Sequence, residues 1–377
     1  MYKILTLNKI SSKGTSLLDP AKYIYSDSVD SPDAILVRSA SMLDCEFEEK
    51  LLSIARAGAG VNNVPVDRCT EKGIVVFNTP GANANAVKEL VIGALFMASR
   101  KIAAAIDWCK TLKGEGENVA KLIEKGKSSF AGPEIAGKTL GVIGVGAIGF
   151  KVALAAKALG MNIVAFDKFI TPERANALEN DEIADTLDEL LGKSDYITLH
   201  VPSLPDTKGM INADSLSKCR DGVRILNFAR GDLVISSDLA DAINCGKCAS
   251  YITDFPSDDL IGLDGVTALP HLGASTPESE ENCAVMAVNQ TVDYVENGNI
   301  VNSVNFPAVS MPKSGKYRLC VTASTDVSSS VKAILKDEVS SASGLKKCFY
   351  MIVDTNDAID ADAIRRIDGV TRVRVLG

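Results

Sequence analysis

The sequence predicts an α/β protein with two doubly wound, parallel-sheet domains and a small C-terminal α+β domain. Short apolar runs alternate with helical patterns along most of the 377 residues. The runs are continuous rather than alternating, as expected for parallel strands that are buried on both faces. A stretch rich in Pro and Ser, at 301–315, precedes a last segment of a different pattern. The length is ample for two or three domains.

The strands fall into two series, each punctuated by Gly, Asp or Pro. The first series is YKILTL (2–7), AILVRSA (34–40), SIARAG (53–58) and IVVFNTP (74–80). The second is TLGVIGVG (139–146), NIVAFD (162–167), DYITLHVP (195–202), VRILNFA (223–229), YITDFP (251–256) and VTALPH (266–271). Helical patterns lie between them, including 147–159, which ends before Gly160. This alternation is typical of two doubly wound units.

Two long helical patterns connect the parts of the chain. Residues 86–106 link the first series to the second, and residues 279–296 follow the second series. A chain that leaves a domain by one helix and returns by another makes that domain discontinuous. We therefore expect one domain from 1–92 with 283–308, a second from 93–282, and a third from 315–377. In the third, strands at 317–323, 346–353 and 371–376 alternate with helices at 327–336 and 358–367.

The amino-acid composition argues against some classes of binding partner. The chain has 40 Lys and Arg against 48 Asp and Glu, a net charge of −8, which argues against nucleic acid or an anionic membrane as partner. No apolar run approaches the roughly 20 residues that span a bilayer, and the first residues do not resemble a signal peptide. Nine scattered cysteines predict free thiols in the cytoplasm. Cys245 and Cys248 form a lone C-x-x-C without further ligands, so we expect no metal site.

A glycine-rich turn carries the first functional signal. Gly144, Gly146 and Gly149 form G-x-G-x-x-G between an apolar strand and a helix, and Asp167 ends the next strand. This is the dinucleotide-binding, Rossmann-like pattern. Gly144 permits the tight turn, Gly146 lets the backbone approach a pyrophosphate at the helix N-terminus, and Gly149 lets the helix pack close to the strand.

Asp167 also predicts which dinucleotide binds. Its carboxylate can accept hydrogen bonds from a ribose diol and would repel a 2′-phosphate, by roughly 4 kcal/mol at about 4 Å and an effective dielectric near 20. We therefore expect NAD rather than NADP. Lys168, the next residue, could accept a phosphate and weakens the inference.

Three strands of the second series end in residues able to carry out acid–base chemistry. Arg230 follows VRILNF, His271 follows VTALP, and YITDFPSDD ends with Asp254, Asp258 and Asp259. In an open parallel sheet, ligands bind beyond the carboxyl ends of the strands. Histidine can take a hydroxyl proton, a carboxylate can orient it, and arginine can hold a substrate carboxylate. The set fits hydride transfer from a 2-hydroxy acid. For His200, packing at a strand end or lining of the cofactor pocket is the expected role.

The motifs GVIGVGAIG, LHVPSLPDTKGMI, NFARGDLV and LPHLGAST together resemble the D-2-hydroxyacid dehydrogenase family. The resemblance covers nearly the whole chain and implies an Arg–Glu–His catalytic trio, of which Arg230 and His271 match. It assigns cofactor binding to Gly144, Gly146, Ala147, Ile148, Gly149, Asp167, His200, Val201, Pro202, Thr207, Phe228, Ala229, Arg230, Asp254, His271 and Gly273.

The acidic member of the trio departs from the family pattern. The family usually has D-V-F-x-x-E, whereas this chain has TDFPSDD. Aligning Phe255 and Pro256 places Asp258 at the glutamate position, so Asp258 is the favoured partner of His271. Asp254 would then replace the family aspartate that contacts the nicotinamide amide, although it could instead back the histidine.

For the residues of the first series, the resemblance implies a phosphorylated substrate. The resemblance assigns the substrate's phosphate or carboxylate to Arg38, Ser39 and Arg56, and a further contact to Asn83. Backbone N–H groups of Gly58 and Ala59 can meet a carboxylate. The implied reaction is oxidation of 3-phospho-D-glycerate to 3-phosphohydroxypyruvate, the first step of serine biosynthesis. The alternatives are another family member, such as a glyoxylate or hydroxypyruvate reductase, and a non-catalytic NAD-sensing protein like certain transcriptional corepressors.

Two further segments carry a partial resemblance. The last 60 or so residues resemble an ACT domain, a small unit that often senses amino acids. Serine as effector is one hypothesis, and a structural or dimer-forming role is the favoured one. Residues 101–135, which contain the sole tryptophan, Trp108, resemble the arm through which family members dimerise, so we expect a homodimer or homotetramer.

Overall fold

The structure is a computed structural model that describes residues 1–178 and 181–377. The chain forms two compact units. Unit 1 consists of Met1–Asn83 and Thr276–Gly377, and unit 2 of Ala84–Ser275. Each unit is described by itself below. Residues 315–377 belong to the same unit as the first sheet, and the three-domain division stays a prediction.

Strands and helices are numbered in chain order. The strands are β1 (Tyr2–Leu7), β2 (Tyr23–Ser26), β3 (Ala34–Val37), β4 (Ser53–Arg56), β5 (Val75–Phe77), β6 (Thr139–Ile143), β7 (Asn162–Phe166), β8 (Glu182–Ile183), β9 (Tyr196–Leu199), β10 (Val223–Asn227), β11 (Cys248–Thr253), β12 (Val266–Ala268), β13 (Tyr317–Ala323), β14 (Ser340–Leu345), β15 (Phe349–Thr355) and β16 (Val370–Leu376). The helices are α1 (Ser12–Thr15), α2 (Val66–Glu71), α3 (Ala84–Arg100), α4 (Ile102–Thr111), α5 (Val119–Gly126), α6 (Ala147–Ala158), α7 (Pro172–Ala177), α8 (Leu187–Lys193), α9 (Ala213–Lys218), α10 (Ser236–Asn244), α11 (Pro277–Asn297), α12 (Ser328–Ile334) and α13 (Ala361–Arg365).

Unit 1 contains a five-stranded parallel sheet in the order β2-β1-β3-β4-β5. Every residue of β3 and β5 is buried, which explains why these strands appear in the sequence as unbroken apolar runs. Helix α11 packs against β3, β4 and β5. It begins after Thr276, whose side chain accepts from the N–H of Ser279, and ends at Gly298 in the left-handed region.

The second sheet of unit 1 is antiparallel, in the order β14-β15-β13-β16. With α12 and α13 it forms a βαββαβ arrangement of the ferredoxin-like type. One face of β13 packs on α12 and α13 through Leu319 and Val321. Its other face places Cys320 in a core shared with Phe77 and Tyr294 of the parallel-sheet region. The two central strands, β13 and β15, are therefore buried on both faces.

Unit 2 contains a seven-stranded parallel sheet in the order β12-β11-β10-β9-β6-β7-β8. The chain runs outward from β6 to β8, then crosses to β9 on the other side of β6. Strand order reverses between β6 and β9, so the topological switch point lies there. The two parallel sheets and the α+β region confirm the predicted fold class.

The predicted helix at 86–106 is two helices. Lys101 has a left-handed conformation, with φ of 48°, and separates α3 from α4. Helix α3 packs on α6, whereas no side chain of α4 or α5 is buried. The Trp108 ring lies 5.2 Å from the Phe130 ring and directly against Gly126. Trp108 therefore packs within its own segment, and the dimerising role of 101–135 stays a prediction.

None of the helices in the described ranges, 1–178 and 181–377, has the length and apolar character needed to cross a membrane.

Candidate active site

The predicted nucleotide and catalytic residues of unit 2 lie at one edge of its sheet. All seven strands are parallel, so their carboxyl ends point to the same side. The residues that follow six of these strands are Gly144, Asp167, His200, Arg230, Asp254 and His271.

The loop between β6 and α6 has the geometry of an anion cradle. Gly144 has φ of +90°, and a Cβ there would lie 2.7 Å from the His200 carbonyl oxygen. A Cβ on Gly149 would lie 1.9 Å from the Gly144 oxygen, which explains why glycine is needed for close packing. A Cβ on Gly146 would meet no atom within 4 Å. The open space therefore lies at Gly146, before the first helical residues Ala147 and Ile148.

The start of α6 has no acidic residue in its first turn and no side-chain cap. Its N–H groups and the helix dipole therefore favour an anion at this place. With the open space at Gly146, these residues fit the pyrophosphate of a dinucleotide.

Asp167 follows β7 beside this loop. Its carboxylate accepts from the N–H of Val145 at 2.7 Å and from the N–H of Phe169 at 2.8 Å. Each oxygen retains a lone pair that could accept from a ribose hydroxyl. The Lys168 ammonium lies 3.2 Å from the Asp206 carboxylate, and both side chains are exposed. Lys168 therefore already has an anionic partner.

His200 borders the glycine turn from β9. Its Nε2 lies 2.9 Å from the Thr198 hydroxyl, and its Nδ1 is buried with no hydrogen-bond partner within the described part of the chain. Burial lowers the pKa of His200 to about 3, so the ring is neutral at physiological pH. This agrees with a lining role rather than proton transfer.

The loop after β9 is held by Thr207. Its hydroxyl donates to the Pro202 carbonyl at 2.6 Å and accepts from the N–H of Leu204 at 2.8 Å. Val201 lies against Gly144, since a Cβ there would be 2.8 Å from its methyl group. Thr207 therefore positions the predicted Val201–Pro202 wall.

Arg230 is exposed and lies in the loop that follows β10. Phe228 is buried, and Asn227 fixes the turn by donating to the Arg230 carbonyl at 2.8 Å and accepting from the N–H of Ala229 at 3.1 Å. The Arg230 guanidinium lies 5.9 Å from the Phe255 ring. The head group is therefore in an exposed position above an aromatic surface.

His271 packs against the same ring. Its imidazole is exposed and lies 4.4 Å from the Phe255 centroid. Phe255 thus contacts both the predicted base and the predicted arginine. From the sequence, Phe255 serves only to align the family motif and no role is predicted for it. Its place two residues after β11, between two charged strand ends, was the available signal.

Asp254 is the carboxylate that faces the histidine loop. It is 2% exposed, and Oδ2 accepts from the N–H of Gly273 at 3.0 Å. Its Oδ1 is buried without a hydrogen-bond partner among the described residues. Burial raises the pKa of Asp254, and the Gly273 N–H and the positive field of His271 offset part of that rise. Asp258, the partner favoured from the sequence, is exposed on the loop beyond.

The predicted substrate residues lie in unit 1, at the carboxyl edge of its parallel sheet. Arg38 follows β3, and its guanidinium is 2.6 Å from Glu280 on α11. Arg56 ends β4, donates from Nε to the Arg38 carbonyl at 3.1 Å, and lies so close to Gly58 that a Cβ there would be 1.7 Å from Nη1. Glu280, which the sequence analysis missed, has no strand-end signal because it lies on a helix.

Three amide side chains contribute further features of this region. Asn8, a residue that the sequence analysis missed, accepts at Oδ1 from the N–H groups of Ser39 at 2.9 Å and Ala40 at 2.6 Å. The Ala59 carbonyl accepts from Asn78 at 2.7 Å. Asn83 has a buried Oδ1 without a hydrogen-bond partner in the ranges that the structure describes, so its amide is a candidate for contact with a ligand.

Comparison with known families gives one match. Residues 92–273 match the D-isomer specific 2-hydroxyacid dehydrogenase, NAD binding domain. The region spans the glycine turn, Asp167, Arg230 and His271, and it ends at Gly273.

Two curated relatives illustrate the sequence similarity. The D-3-phosphoglycerate dehydrogenase of Archaeoglobus fulgidus is 37% identical over 287 residues, covering 74% of this chain and 52% of the relative. That of Bacillus subtilis is 30% identical over 358 residues, covering 90% of this chain and 66% of the relative. The chain thus spans about half to two thirds of the length of these relatives.

Solved structures give a similar result. The NAD⁺-bound 3-phosphoglycerate dehydrogenase of Entamoeba histolytica aligns with a TM-score of 0.62 at 28% identity, over 81% of this chain and 98% of that one. A glyoxylate reductase from Paecilomyes thermophila aligns with a TM-score of 0.67 at 26% identity, over 80% and 98%.

Proposed function

Because the chain belongs to the D-isomer specific 2-hydroxyacid dehydrogenase family, we propose that it oxidises 3-phospho-D-glycerate to 3-phosphohydroxypyruvate with NAD, the first step of serine biosynthesis. One observation carries the proposal. Arg230, Asp254 and His271 follow the adjacent strands β10, β11 and β12 at one sheet edge, and Phe255 contacts both the arginine and the histidine. The names of the curated relatives support the choice of substrate.

The proton goes to His271. Its exposed imidazole takes the hydroxyl proton of the substrate, while Phe255 holds the ring from one side. The Asp254 carboxylate favours the protonated imidazole, and the contacts around Asp254 support it over Asp258 as the partner. When bound, NAD supplies the acceptor for the hydride that leaves C2 with its electron pair. Arg230 holds the substrate carboxylate and polarises the oxygen that becomes the carbonyl.

The cofactor is held by the residues predicted from the sequence. The N-terminus of α6 and the open space at Gly146 receive the pyrophosphate. Asp167 accepts from the ribose diol and repels a 2′-phosphate. His200 stays neutral and lines the pocket beside the glycine turn.

The phosphate end of the substrate is assigned to unit 1. Arg38 and Arg56 supply positive charge, and the Ala59 backbone supplies an N–H group, whereas the Gly58 N–H already donates to the Arg56 carbonyl at 2.9 Å. The amide oxygen of Asn83 can accept only from a donor, such as a hydroxyl of the substrate. Because Glu280 already pairs with Arg38, a substrate phosphate has to compete with that carboxylate.

A second candidate follows from this ion pair. With Glu280 offsetting the charge of Arg38, the site carries less positive charge for a phosphate, which favours an unphosphorylated 2-hydroxy acid. The reaction would then be that of a glyoxylate or hydroxypyruvate reductase.

The proposal also includes the oligomeric state, the effector and the cellular location of the protein. The chain acts in the cytoplasm as a homodimer or homotetramer through residues 101–135, whose helices α4 and α5 bury no side chain within the unit. All nine cysteines are free, in keeping with a reducing compartment. The ACT-like C-terminal region serves a structural or dimer-forming role, with serine as the alternative effector.

The test is NAD reduction with a panel of 2-hydroxy acids, phosphorylated and unphosphorylated. We expect turnover with 3-phospho-D-glycerate, and we expect Arg38→Ala to raise its KM about tenfold or more while leaving the KM of an unphosphorylated acid nearly unchanged. An equal rise for both substrates would contradict the phosphate assignment. Absence of turnover with every acid, in protein that binds NAD, would favour a non-catalytic NAD-sensing role instead.

A further inference from the structure

A second cluster of cationic residues lies in unit 1, apart from the residues assigned to the substrate. It lines a cavity of about 410 Å³ between the antiparallel sheet and the loops at the opposite, amino-terminal edge of β4 and β5. We call it the cationic cavity and define it by Glu49, Lys50, Lys72, Arg365, Arg372 and Arg374. Its volume falls within the roughly 300–1,000 Å³ of ligand sites.

The charge of this lining opposes that of the chain. Five side chains of the cationic cavity are positive and one is negative, although the whole chain has a net charge of −8. Two cations have carboxylate partners: Lys50 pairs with Asp33 at 3.2 Å and Arg365 with Asp362 at 2.6 Å. A concave surface of one charge sign concentrates small counter-ions.

The other three cations are held by backbone carbonyls. Lys72 donates to Phe47 at 2.8 Å. Arg374 donates to the carbonyls of Tyr294 and Val295, with its guanidinium 4.8 Å from the Tyr294 ring. Carbonyl dipoles orient a cation but do not neutralise its full charge, so these three groups retain a positive field.

Arg372 is the fixed centre of the cavity. Its guanidinium donates to the carbonyls of Leu51 at 2.6 Å, Glu49 at 2.7 Å and Lys72 at 3.2 Å. These carbonyls belong to two different loops of the parallel-sheet region. The edge strand β16 contains a bulge, because Thr322 pairs with Arg372 while Ala323 pairs with Val370. Thr371 is the extra residue between them, and it is exposed. The site is thus held in place before any ligand arrives.

We propose that the cationic cavity binds a small dianion of the phosphate type. A phosphate can accept from guanidinium and ammonium donors on several sides. A zwitterion such as serine fits poorly, because its ammonium group would be repelled by the three cations that have no carboxylate partner among the described contacts. A bound dianion joins β16 to the loops before β4 and after α2, so it stabilises the attachment of the antiparallel sheet to the rest of unit 1.

The experiment uses the full chain with Arg38→Ala as background, which weakens anion binding by the proposed substrate residues. Inorganic phosphate is titrated by calorimetry and by thermal unfolding, against sodium chloride at equal ionic strength and against serine. We expect a saturable phosphate-specific rise in Tm, and neither chloride nor serine should reproduce it.

Two pairs of substitutions locate the binding. Lys72→Gln with Arg365→Gln removes two exposed cations of the cavity and should weaken phosphate binding about tenfold or more. Lys313→Gln with Lys336→Gln removes two exposed cations elsewhere in unit 1 and should leave binding unchanged. All four side chains are exposed, so the Tm without phosphate should stay the same. Equal binding by both double variants, or no phosphate-specific rise in the background protein, overturns the proposal.

Discussion

Asp254 combines two properties that a single substitution can separate. Its carboxyl is buried beside the histidine loop, and burial raises its pKa above the ordinary 3.8. A raised pKa means that the folded state prefers the protonated form. The contribution of Asp254 to stability is therefore most favourable below pH 3.8, falls as pH rises through the folded pKa, and stays unfavourable at neutral pH. Asp254 thus costs stability at the pH where it is proposed to assist His271.

We therefore expect Asp254→Asn to lower kcat about tenfold or more while raising the free energy of unfolding at pH 7. The amide oxygen can still accept from the Gly273 N–H. Removing the charge takes away the carboxylate that stabilises the imidazolium formed on proton transfer, so the pH profile of kcat should change along with its value. Urea unfolding and a pH series of initial rates measure both effects.

Asp258→Asn is the matched control, because Asp258 is exposed on the same loop. It should change stability by less than about 0.5 kcal/mol and leave the pH profile in place. If Asp258→Asn instead shifts the profile and Asp254→Asn does not, Asp258 is the partner of His271, as the family alignment favours.

A second residue-scale effect concerns the Arg38–Glu280 pair. Both side chains are about 40% exposed, at 37% and 42%, so breaking the pair should cost less than about 1 kcal/mol of stability. We expect Glu280→Gln to lower the KM for 3-phospho-D-glycerate about threefold or more, because the guanidinium no longer has a competing carboxylate. Glu281→Gln, which removes the half-buried carboxylate partner of Lys13, should not change that KM.

The sequence predicted the strand-end residues because a parallel sheet brings all its carboxyl ends to one edge. It could not predict Glu280, which reaches Arg38 from a helix more than 200 positions later in the chain. It also favoured Asp258 from family spacing, whereas the contacts around Asp254 depend on how the 271–273 loop folds back on β11. Such tertiary contacts leave no local pattern.

At the scale of elements, β1 and the other strands of the two apolar series lie at the positions that their apolar runs predict. Among the strands that the structure describes, three were missed. β2 is half exposed at an edge, β8 has only two residues, and β14 is polar, with sequence SSASGL. Strands of this kind form because a neighbour offers a free edge, and their own side chains carry little signal. The break at Lys101 was missed because the apolar periodicity continues across it.

The turn between β6 and α6 permits a paired test of two glycines. In Gly146→Ala, the new Cβ meets no atom within 4 Å and φ is −69°, so Tm should stay unchanged. The methyl group would fill the space assigned to the pyrophosphate, so NAD should bind about tenfold more weakly.

Gly149→Ala should behave in the opposite way. Its Cβ would lie 1.9 Å from a backbone oxygen that cannot move aside, and we expect a loss of about 1–3 kcal/mol in stability. Thermal unfolding and calorimetric titration with NAD distinguish the two variants. A Gly146→Ala protein that binds NAD normally would contradict the placement of the pyrophosphate.

At the scale of the molecule, the C-terminal segment contributes to the core of unit 1. Cys320, Tyr350 and Ile352 share one apolar cluster with Phe77 and Phe306, and Tyr350 donates to the Gly298 carbonyl at 2.6 Å. The Pro- and Ser-rich stretch before this segment indicates a separate third domain, and that division stays a prediction. Composition of a connecting segment gives no information on whether the elements at its two ends pack together.

A buried ion pair ties the segments of unit 1 together. Arg318 and Asp354 are 1% and 0% exposed and form two hydrogen bonds, at 2.7 and 2.8 Å. Arg318 also donates to the carbonyl of Asn297 at 2.9 Å, at the end of α11, and to that of Met311 at 3.1 Å. The N–H of Ser314 donates to Asp354 at 2.8 Å. Burial acts to raise the pKa of Asp354, but Arg318 and Ser314 outweigh it and the pKa is lowered.

A carboxyl with a lowered pKa stabilises the folded state above pH 3.8, and this contribution is lost as pH falls below that value toward the folded pKa. Asp354→Asn leaves the Arg318 charge buried and should cost about 3–5 kcal/mol at pH 7. Its deficit relative to the parent protein should shrink as pH falls below 3.8. The double variant Arg318→Met with Asp354→Leu leaves no unpaired charge and should recover most of the loss. Urea unfolding followed by fluorescence and circular dichroism should give one transition for all of unit 1. A separate early transition of residues 315–377, with the parallel sheet unaffected, would contradict the shared core.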